Sequence, residues 1–86
     1  MPSEYSVGDK VYIYCWDADG IYECAGTISN KSYSTVGNCY LYVVVITNHK
    51  GIRMSTATAN NLLPITATEE ERFFAAQDAI NEFSRS

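Results

Sequence analysis

The spacing of apolar side chains changes along the chain from a two-residue period to a helical one, and this change predicts the order of the elements. Between residues 10 and 16 side chains alternate, so one face of a strand carries aliphatic and thiol groups and the other carries aromatic rings. The two faces are Val11, Ile13 and Cys15 on one side and Tyr12, Tyr14 and Trp16 on the other. Both faces are apolar enough to be buried.

A turn and a second strand should follow. Residues 17–20 (Asp-Ala-Asp-Gly) are typical of a turn, because aspartate bonds its own backbone and glycine tolerates a positive φ. The next predicted strand runs from Ile21 to Ser29, and Gly26 within it indicates a bulge or a bend where the sheet curls. Residues 30–38 are polar and predict a flexible loop, with Tyr33 exposed on it.

The strongest strand prediction is the apolar run from Cys39 to Thr47, which is typical of a central strand covered on both faces. A hairpin with His49 at its tip should lead to a shorter strand at residues 52–55. Residues 56–65 should then close the sheet into a barrel. The pattern predicts a tight turn at residues 60–61 and a last short strand that Pro64 ends.

Residues 68–84 are predicted to form a helix. Thr68 and Glu71 have the spacing of a capping box, and the acids at positions 69–71 lie where the helix dipole favours negative charge. One apolar stripe should pack on the barrel or cover the second face of the central strand. Its members are Phe73, Ala76, Ala79, Ile80 and Phe83. Phe74 lies almost opposite, beside Glu71 and Asp78, and is the apolar side chain most expected to be exposed.

Composition limits the classes of function. The 86 residues fit a single domain, here a barrel over residues 7–65 followed by the helix. The net charge of −4 disfavours general binding of duplex nucleic acid, which requires a basic face. Residues 65–86 hold five acids and two bases, so most of the negative charge falls there. Without a leader pattern or an apolar run of ~18 residues, we expect a cytoplasmic protein that does not enter a membrane.

Side chains with intrinsic chemistry are few. Cys15, Cys24 and Cys39 are odd in number and lack the paired spacing of zinc or redox sites, so free buried thiols are expected. Asp17 and Asp19 form only a fragment of a calcium loop, and a turn is the favoured interpretation. The single histidine is not spaced to activate a cysteine. We therefore expect no metal, no cofactor and no catalytic residue.

The succession of elements between residues 7 and 65 resembles that of the SH3-like barrels, including the Tudor and KOW-type small barrels. The matching residues are framework positions, namely Val7-Gly8-Asp9-Lys10-Val11, Gly26-Thr27-Ile28 and Leu62-Leu63-Pro64-Ile65. The resemblance implies a mainly β protein, an SH3-like five-stranded antiparallel barrel with a C-terminal α-helix. Such barrels serve many functions, so it implies architecture more than chemistry.

The same framework is similar to that of the plasmid-borne type II dihydrofolate reductases. In that family a short Val-Gln-Ile-Tyr motif on the penultimate strand builds the active site. The matching segment here is Ile52-Arg53-Met54-Ser55, which lacks the motif. We therefore expect no enzymatic activity.

Seven tyrosines and one tryptophan are the remaining candidates for a functional surface. Tudor-like barrels bind methylated cations through aromatic cages, and SH3 domains bind polyproline segments in grooves. Alternatively, tyrosines favour strands and pack their rings within the fold. The binding residues predicted here are Tyr12, Tyr14, Trp16, Tyr33, Tyr42 and Phe74.

These features predict a non-enzymatic protein-interaction module that presents a tyrosine-rich barrel face to a protein partner. Its size and acidity would suit a small accessory or inhibitory protein of a phage or mobile element. The alternative is a barrel that binds single-stranded RNA or DNA by stacking bases on Tyr12, Tyr14, Tyr40 or Tyr42. The apolar stripe of the helix could also be buried between two chains, which would make the protein a homodimer.

Overall fold

The computed structural model describes residues 4–48 and 50–85, with the backbone alone for Phe83 and Arg85. The strands are β1 (Lys10–Asp17), β2 (Gly20–Ser34), β3 (Cys39–Asn48), β4 (Gly51–Ala57) and β5 (Leu62–Pro64), with a 3-10 turn at Ala59–Asn61 and helix α1 at Glu69–Arg85. They form one antiparallel sheet in the order β4-β3-β2-β1-β5. The predicted fold class, mainly β with five antiparallel strands and a C-terminal helix, is confirmed.

All five strands contribute side chains to one core, so the sheet curls around it. The alternation predicted for β1 is confirmed, and its aliphatic and thiol face is buried. Its aromatic face is covered only in part, since Tyr12 and Tyr14 are half-buried and Trp16 is exposed. Tyr5 covers the core ahead of β1, since its hydroxyl donates to the carbonyl oxygen of Leu62 at 3.3 Å and its N–H donates to the Tyr42 hydroxyl at 3.2 Å. The buried core consists of Tyr5, Val11, Ile13, Cys15, Cys24, Ile28, Tyr42, Val44, Ile46, Ala57 and Leu62.

The turns at residues 17–20 and 59–61 lie where the sequence predicts them. The Asp19 N–H donates to Asp17 Oδ1 at 2.8 Å, and Gly20 has a φ of 119°, as the predicted turn requires. The turn expected at residues 60–61 is the 3-10 turn, and Pro64 is the last residue of β5. His49, the predicted tip of the β3–β4 hairpin, lies outside the described residues.

Strand β2 is longer than predicted, and the prediction of a flexible loop at residues 30–38 is wrong. Residues 30–34 pair with β3, and only residues 35–38 form the turn. Polar side chains do not prevent this pairing, because the backbone makes the bonds of the ladder. Tyr33 therefore lies in a strand opposite Tyr40, although its side chain is exposed as predicted.

The bulge in β2 is at Ser29, where the register with β3 shifts, and not at Gly26. Gly26 keeps regular pairing with both neighbouring strands. A Cβ at this position would lie 2.5 Å from Val44 Cγ1 and 2.8 Å from the carbonyl oxygen of Val45. Glycine is needed here because β3 approaches too closely for any side chain.

Strand β3 lies inside the sheet between β4 and β2, but only its inner face is fully covered, which corrects the prediction of a central strand covered on both faces. Alternate residues from Tyr42 to Ile46 are buried, whereas Val43 and Val45 on the outer face are half-buried. Beside them on β4, Ile52 and Met54 point outward and are exposed. Helix α1 makes its main contacts with β2, so it does not cover this part of the sheet.

Helix α1 begins at the predicted capping box. The Thr68 hydroxyl oxygen accepts a bond from the Glu71 N–H at 3.1 Å, and Glu71 Oε1 accepts one from the Thr68 N–H at 2.9 Å. Within the described part of the chain, no helix is long and apolar enough to cross a membrane.

The apolar stripe of α1 is only partly buried, which corrects the prediction. Ala76 and Ala79 are half-buried, but Phe73 and Ile80 are exposed. Phe74 is 60% exposed, as predicted, but Phe73 is almost equally so at 59%. The side chain of Phe83, the last member of the stripe, lies outside the described part. The helix is therefore not seated on the sheet by large apolar side chains from its middle turns.

Candidate functional site

A polar clasp attaches α1 to the outer face of β1 and β2. Arg72 donates from Nε to Glu23 Oε2 at 2.9 Å, and its Nη2 also contacts Glu23 Oε1. The guanidinium lies over the ring of Tyr12, with Cζ 4.4 Å from the ring centroid. The Tyr14 hydroxyl lies 2.9 Å from the Arg72 carbonyl oxygen and 3.1 Å from Glu23 Oε2. With a single proton, it donates to one of these acceptors at a time.

The clasp shifts the ionisation of its members. Hydrogen bonds from Arg72 lower the pKa of the Glu23 carboxyl, despite the opposing effect of desolvation. Burial, followed by the hydrogen bond to Glu23, raises the pKa of Tyr14 to about 12. At neutral pH the glutamate is charged and the tyrosine is protonated, which is the arrangement that holds the helix.

A groove of about 1180 Å³ lies between α1 and the open seam of the sheet. Its floor includes Ala57 of β4 and Leu62 of β5, and these are the two edge strands of the sheet. Trp16 from the end of β1 and Phe74 from α1 line its sides, and both side chains are exposed. We call this space the seam groove. It offers a partner aromatic side chains and access to part of the core.

The charged side chains that line the seam groove all come from α1, and all are acidic. They are Glu71, Asp78 and Glu82, and no lysine or arginine lines the groove among the described residues. Glu71 also bonds the Thr68 N–H, which leaves its second carboxylate oxygen for other contacts. The seam groove therefore combines apolar walls with negative potential.

A smaller cavity of about 410 Å³ lies on the other side of α1. Phe73 and Ile80 line it from the helix, and Tyr22 lines it from the sheet. Its charged lining includes the ion pair of Arg72 with Glu23, so much of its charge is internally compensated. Tyr14 lines both spaces. The two neighbouring phenylalanines thus stand on different sides of the helix.

The predicted binding residues do not share one tyrosine-rich face. The structure brings Tyr14, Trp16 and Phe74 together at the seam groove. Tyr12 lies nearby, beneath the guanidinium of Arg72. Tyr42 points into the core and is 1% exposed, so it offers no surface to a ligand. The predicted residues are divided between the two sides of the sheet, because successive residues of a strand point to opposite sides.

Tyr33 belongs to a separate cluster at the far end of β2 and β3. Its ring meets that of Tyr40 edge to face at 5.1 Å between centroids, and its hydroxyl bonds Asn38. The ammonium group of Lys31 lies 4.4 Å from the centroid of Tyr40 and also pairs with Glu4 at 2.7 Å. The cation site over this ring is therefore already occupied by the protein's own lysine.

Sequence reasoning missed the acidic side of the groove. Glu71, Asp78 and Glu82 recur at spacings that place them along one side of a helix, and this signal was available. Leu63, which also lines the groove, carried no such signal. The sequence did not show that this side of α1 turns toward the seam, since that depends on the distant pairing of Arg72 with Glu23.

Among residues 4–48 and 50–85, no group of three histidine, cysteine, aspartate or glutamate side chains could hold a metal ion. Asp17 and Asp19 both face Lys50, at 3.0 and 3.7 Å. Burial raises the pKa of the Cys15 thiol to about 11, so it is protonated at neutral pH.

Searches of protein-family models, curated proteins and solved structures give no match for this chain.

Proposed function

We propose that this protein is a non-enzymatic interaction module that binds a basic, apolar segment of a partner protein in the seam groove. The observation that carries the proposal is a large groove with exposed aromatic walls, in which the charged side chains among the described residues are all acidic. Aromatic side chains supply much of the binding energy at protein interfaces. Carboxylates along one wall select for lysine or arginine through complementary potential.

The fold supports this choice of function. The curled five-stranded sheet, whose short last strand returns to pair with the first, supports the resemblance to SH3-like barrels. The groove lies where β4 and β5 are the sheet edges, and edge strands carry backbone groups that can pair with an extended segment. A partner segment would thus find backbone bonds, aromatic contacts and charge in one place.

The charges of the groove oppose the alternative of nucleic-acid binding at this site. A phosphate backbone would meet Glu71, Asp78 and Glu82, and the described part of the lining offers no basic residue to neutralise it. Two of the tyrosines proposed for stacking are also poorly placed. Tyr12 is covered by Arg72, and Tyr42 is buried.

Trp16 provides a direct measurement of occupancy, because it is the only tryptophan of the chain and lines the groove. The probe is a short peptide of alternating lysine and leucine, titrated while the emission of Trp16 is followed. A matched peptide with glutamate in place of lysine and a single-stranded oligonucleotide are titrated in parallel. We expect the basic peptide to shift the emission, and the acidic peptide and the oligonucleotide to leave it unchanged.

A matched pair of variants locates the binding site. Phe74→Ala should weaken binding of the basic peptide by about tenfold or more, since an exposed aromatic wall is lost. Phe73→Ala should change it by less than about twofold, because this ring lines the other cavity at the same exposure. Equal effects of the two variants, or preference for the acidic peptide or the oligonucleotide, would contradict the proposal.

A further inference from the structure

The outer face of β3 and β4 is an apolar surface that α1 leaves uncovered. We define it as Leu41, Val43, Val45, Ile52 and Met54. Ile52 is 75% exposed and Met54 is 66% exposed. Val45 stands directly opposite Met54 in the ladder, so their side chains are neighbours on the same face. Exposed apolar surfaces of this kind mark interaction sites. None of the five residues lines the seam groove or the smaller cavity.

This β3–β4 face carries no charged side chain. The residues of β2 that continue it are also uncharged, since Thr27 stands opposite Val45 and Asn30 stands opposite Val43. A strongly charged partner would find nothing complementary here. The chain itself has a net charge of −4, so two copies repel each other wherever their acidic surfaces meet. They approach at the lowest electrostatic cost through a face that has no carboxylate.

We propose that the β3–β4 face is the contact between two copies of this chain. A two-fold axis sets the same surface against itself, so an apolar, uncharged patch is self-complementary. The two sheets would pack face to face, as the sheets of a β-sandwich do. Valine, isoleucine and methionine side chains from both copies would then be removed from water together.

Pairing through the edge of β4 is a poorer alternative. Residues 55–57, the C-terminal half of this strand, line the seam groove beside α1. A second copy paired along this half of the edge would therefore occupy the seam groove. Edge pairing would also extend the apolar face instead of covering it, because paired strands keep their side chains on the same two sides. Face-to-face packing covers the surface and leaves the seam groove open.

The test is the molar mass in solution, measured by light scattering or sedimentation between about 1 and 500 μM, the range in which modest interfaces associate. The wild-type mass should rise toward that of two chains. Met54→Lys should weaken the association by roughly a hundredfold, since two lysines would face each other within an apolar contact. Val36→Lys is the matched control, because Val36 is 99% exposed in the β2–β3 turn and lies off the face. It adds the same charge and should leave association unchanged.

Ile52→Lys is a second variant, which supports the test if Met54→Lys folds poorly by circular dichroism. A wild-type chain that keeps the mass of one copy throughout would overturn the proposal. Dissociation of the two copies by Val36→Lys as strongly as by Met54→Lys would also overturn it. The peptide titration followed by Trp16 should be the same in Met54→Lys as in the wild type, so this test and that of the seam groove fail independently.

Discussion

Glu23 on β2 and Arg72 on α1 form the ion pair that fixes the helix on the sheet, with Nε 2.9 Å from Oε2. Both side chains are partly exposed, so solvent weakens the pair without removing it. Phe73 and Phe74, the large apolar side chains next to it on the helix, remain exposed. The position of α1 therefore depends more on this polar contact than on burial of those rings. Since α1 forms one wall of the seam groove, the ion pair also determines the shape of the groove.

Replacement of Glu23 should loosen α1 while the sheet stays folded. Glu23→Gln removes the charge that faces Arg72 and weakens the acceptor near the Tyr14 hydroxyl. We expect amide hydrogen exchange to become faster in α1 and to remain slow in β3. Glu70→Gln is the control, because it removes an equal charge from an exposed position in the first turn. Faster exchange in α1 for both variants alike would mean that the helix responds to charge in general and not to this pair.

The same contact should make the helix sensitive to acid. The folded protein lowers the pKa of Glu23 below its ordinary value of 4.5, so the folded state favours the charged carboxylate. Its contribution to stability is present above that ordinary value and is lost as the pH falls through the lowered value. We expect Trp16 emission to report a change of the groove in this acidic window. In Glu23→Gln this step should be absent, and a step of undiminished size would exclude Glu23 as its cause.

Tyr14 should have the opposite dependence on pH. Its pKa is raised from 10.0 to about 12, so the folded state favours the protonated hydroxyl. The contribution to stability is present below pH 10.0 and is lost as the pH rises through about 12. A spectrophotometric titration of the tyrosines should contain a component near the upper value. Tyr14→Phe should remove that component, and its persistence would assign it to another tyrosine.

The close approach of β3 to Gly26 gives a stability prediction. Gly26→Ala places a methyl group against Val44 and against the carbonyl oxygen of Val45, and backbone cannot move aside easily. Overpacking of this kind costs about 1–3 kcal/mol in the free energy of unfolding, measurable in urea. Gly37→Ala is the control, since the nearest atom there is the movable Cys39 side chain at 3.2 Å. A change of less than about 0.5 kcal/mol for Gly26→Ala would show that β3 can shift.

The elements that the sequence predicts well are those whose side chains repeat with a clear period. The alternation of β1 separated its two faces correctly, and the apolar run of β3 indicated a strand that is paired on both sides. The polar residues from Asn30 to Ser34 have no such period, and their strand conformation comes from pairing with β3. The local sequence does not encode this pairing, because its hydrogen bonds join backbone groups of the two strands and do not depend on the side chains.

The site was harder to predict because it depends on how two distant elements meet. Trp16 and Phe74 were both candidates from their residue type, but nothing in the sequence placed them along one groove. The Glu23–Arg72 pair joins residues 49 positions apart, and either side chain could have been solvated alone. Tyr42 was misjudged for a related reason, since residues 40–46 are all apolar or aromatic and the sequence does not show which face of the strand points inward.

The capping box of α1 offers a test of the helix that does not involve the clasp. Thr68→Ala removes the hydroxyl that accepts the Glu71 N–H bond, and losses of such caps cost about 1 kcal/mol. Thr66→Ala is the control, because Thr66 is exposed and lies before the helix begins. We expect the helical circular dichroism signal to be lost at lower urea in Thr68→Ala and to match the wild type in Thr66→Ala. If the two variants unfold together with the wild type, the helix is stabilised by its contacts with the sheet and not by its cap. In that case Glu23→Gln should have the larger effect, which the hydrogen exchange of α1 measures directly.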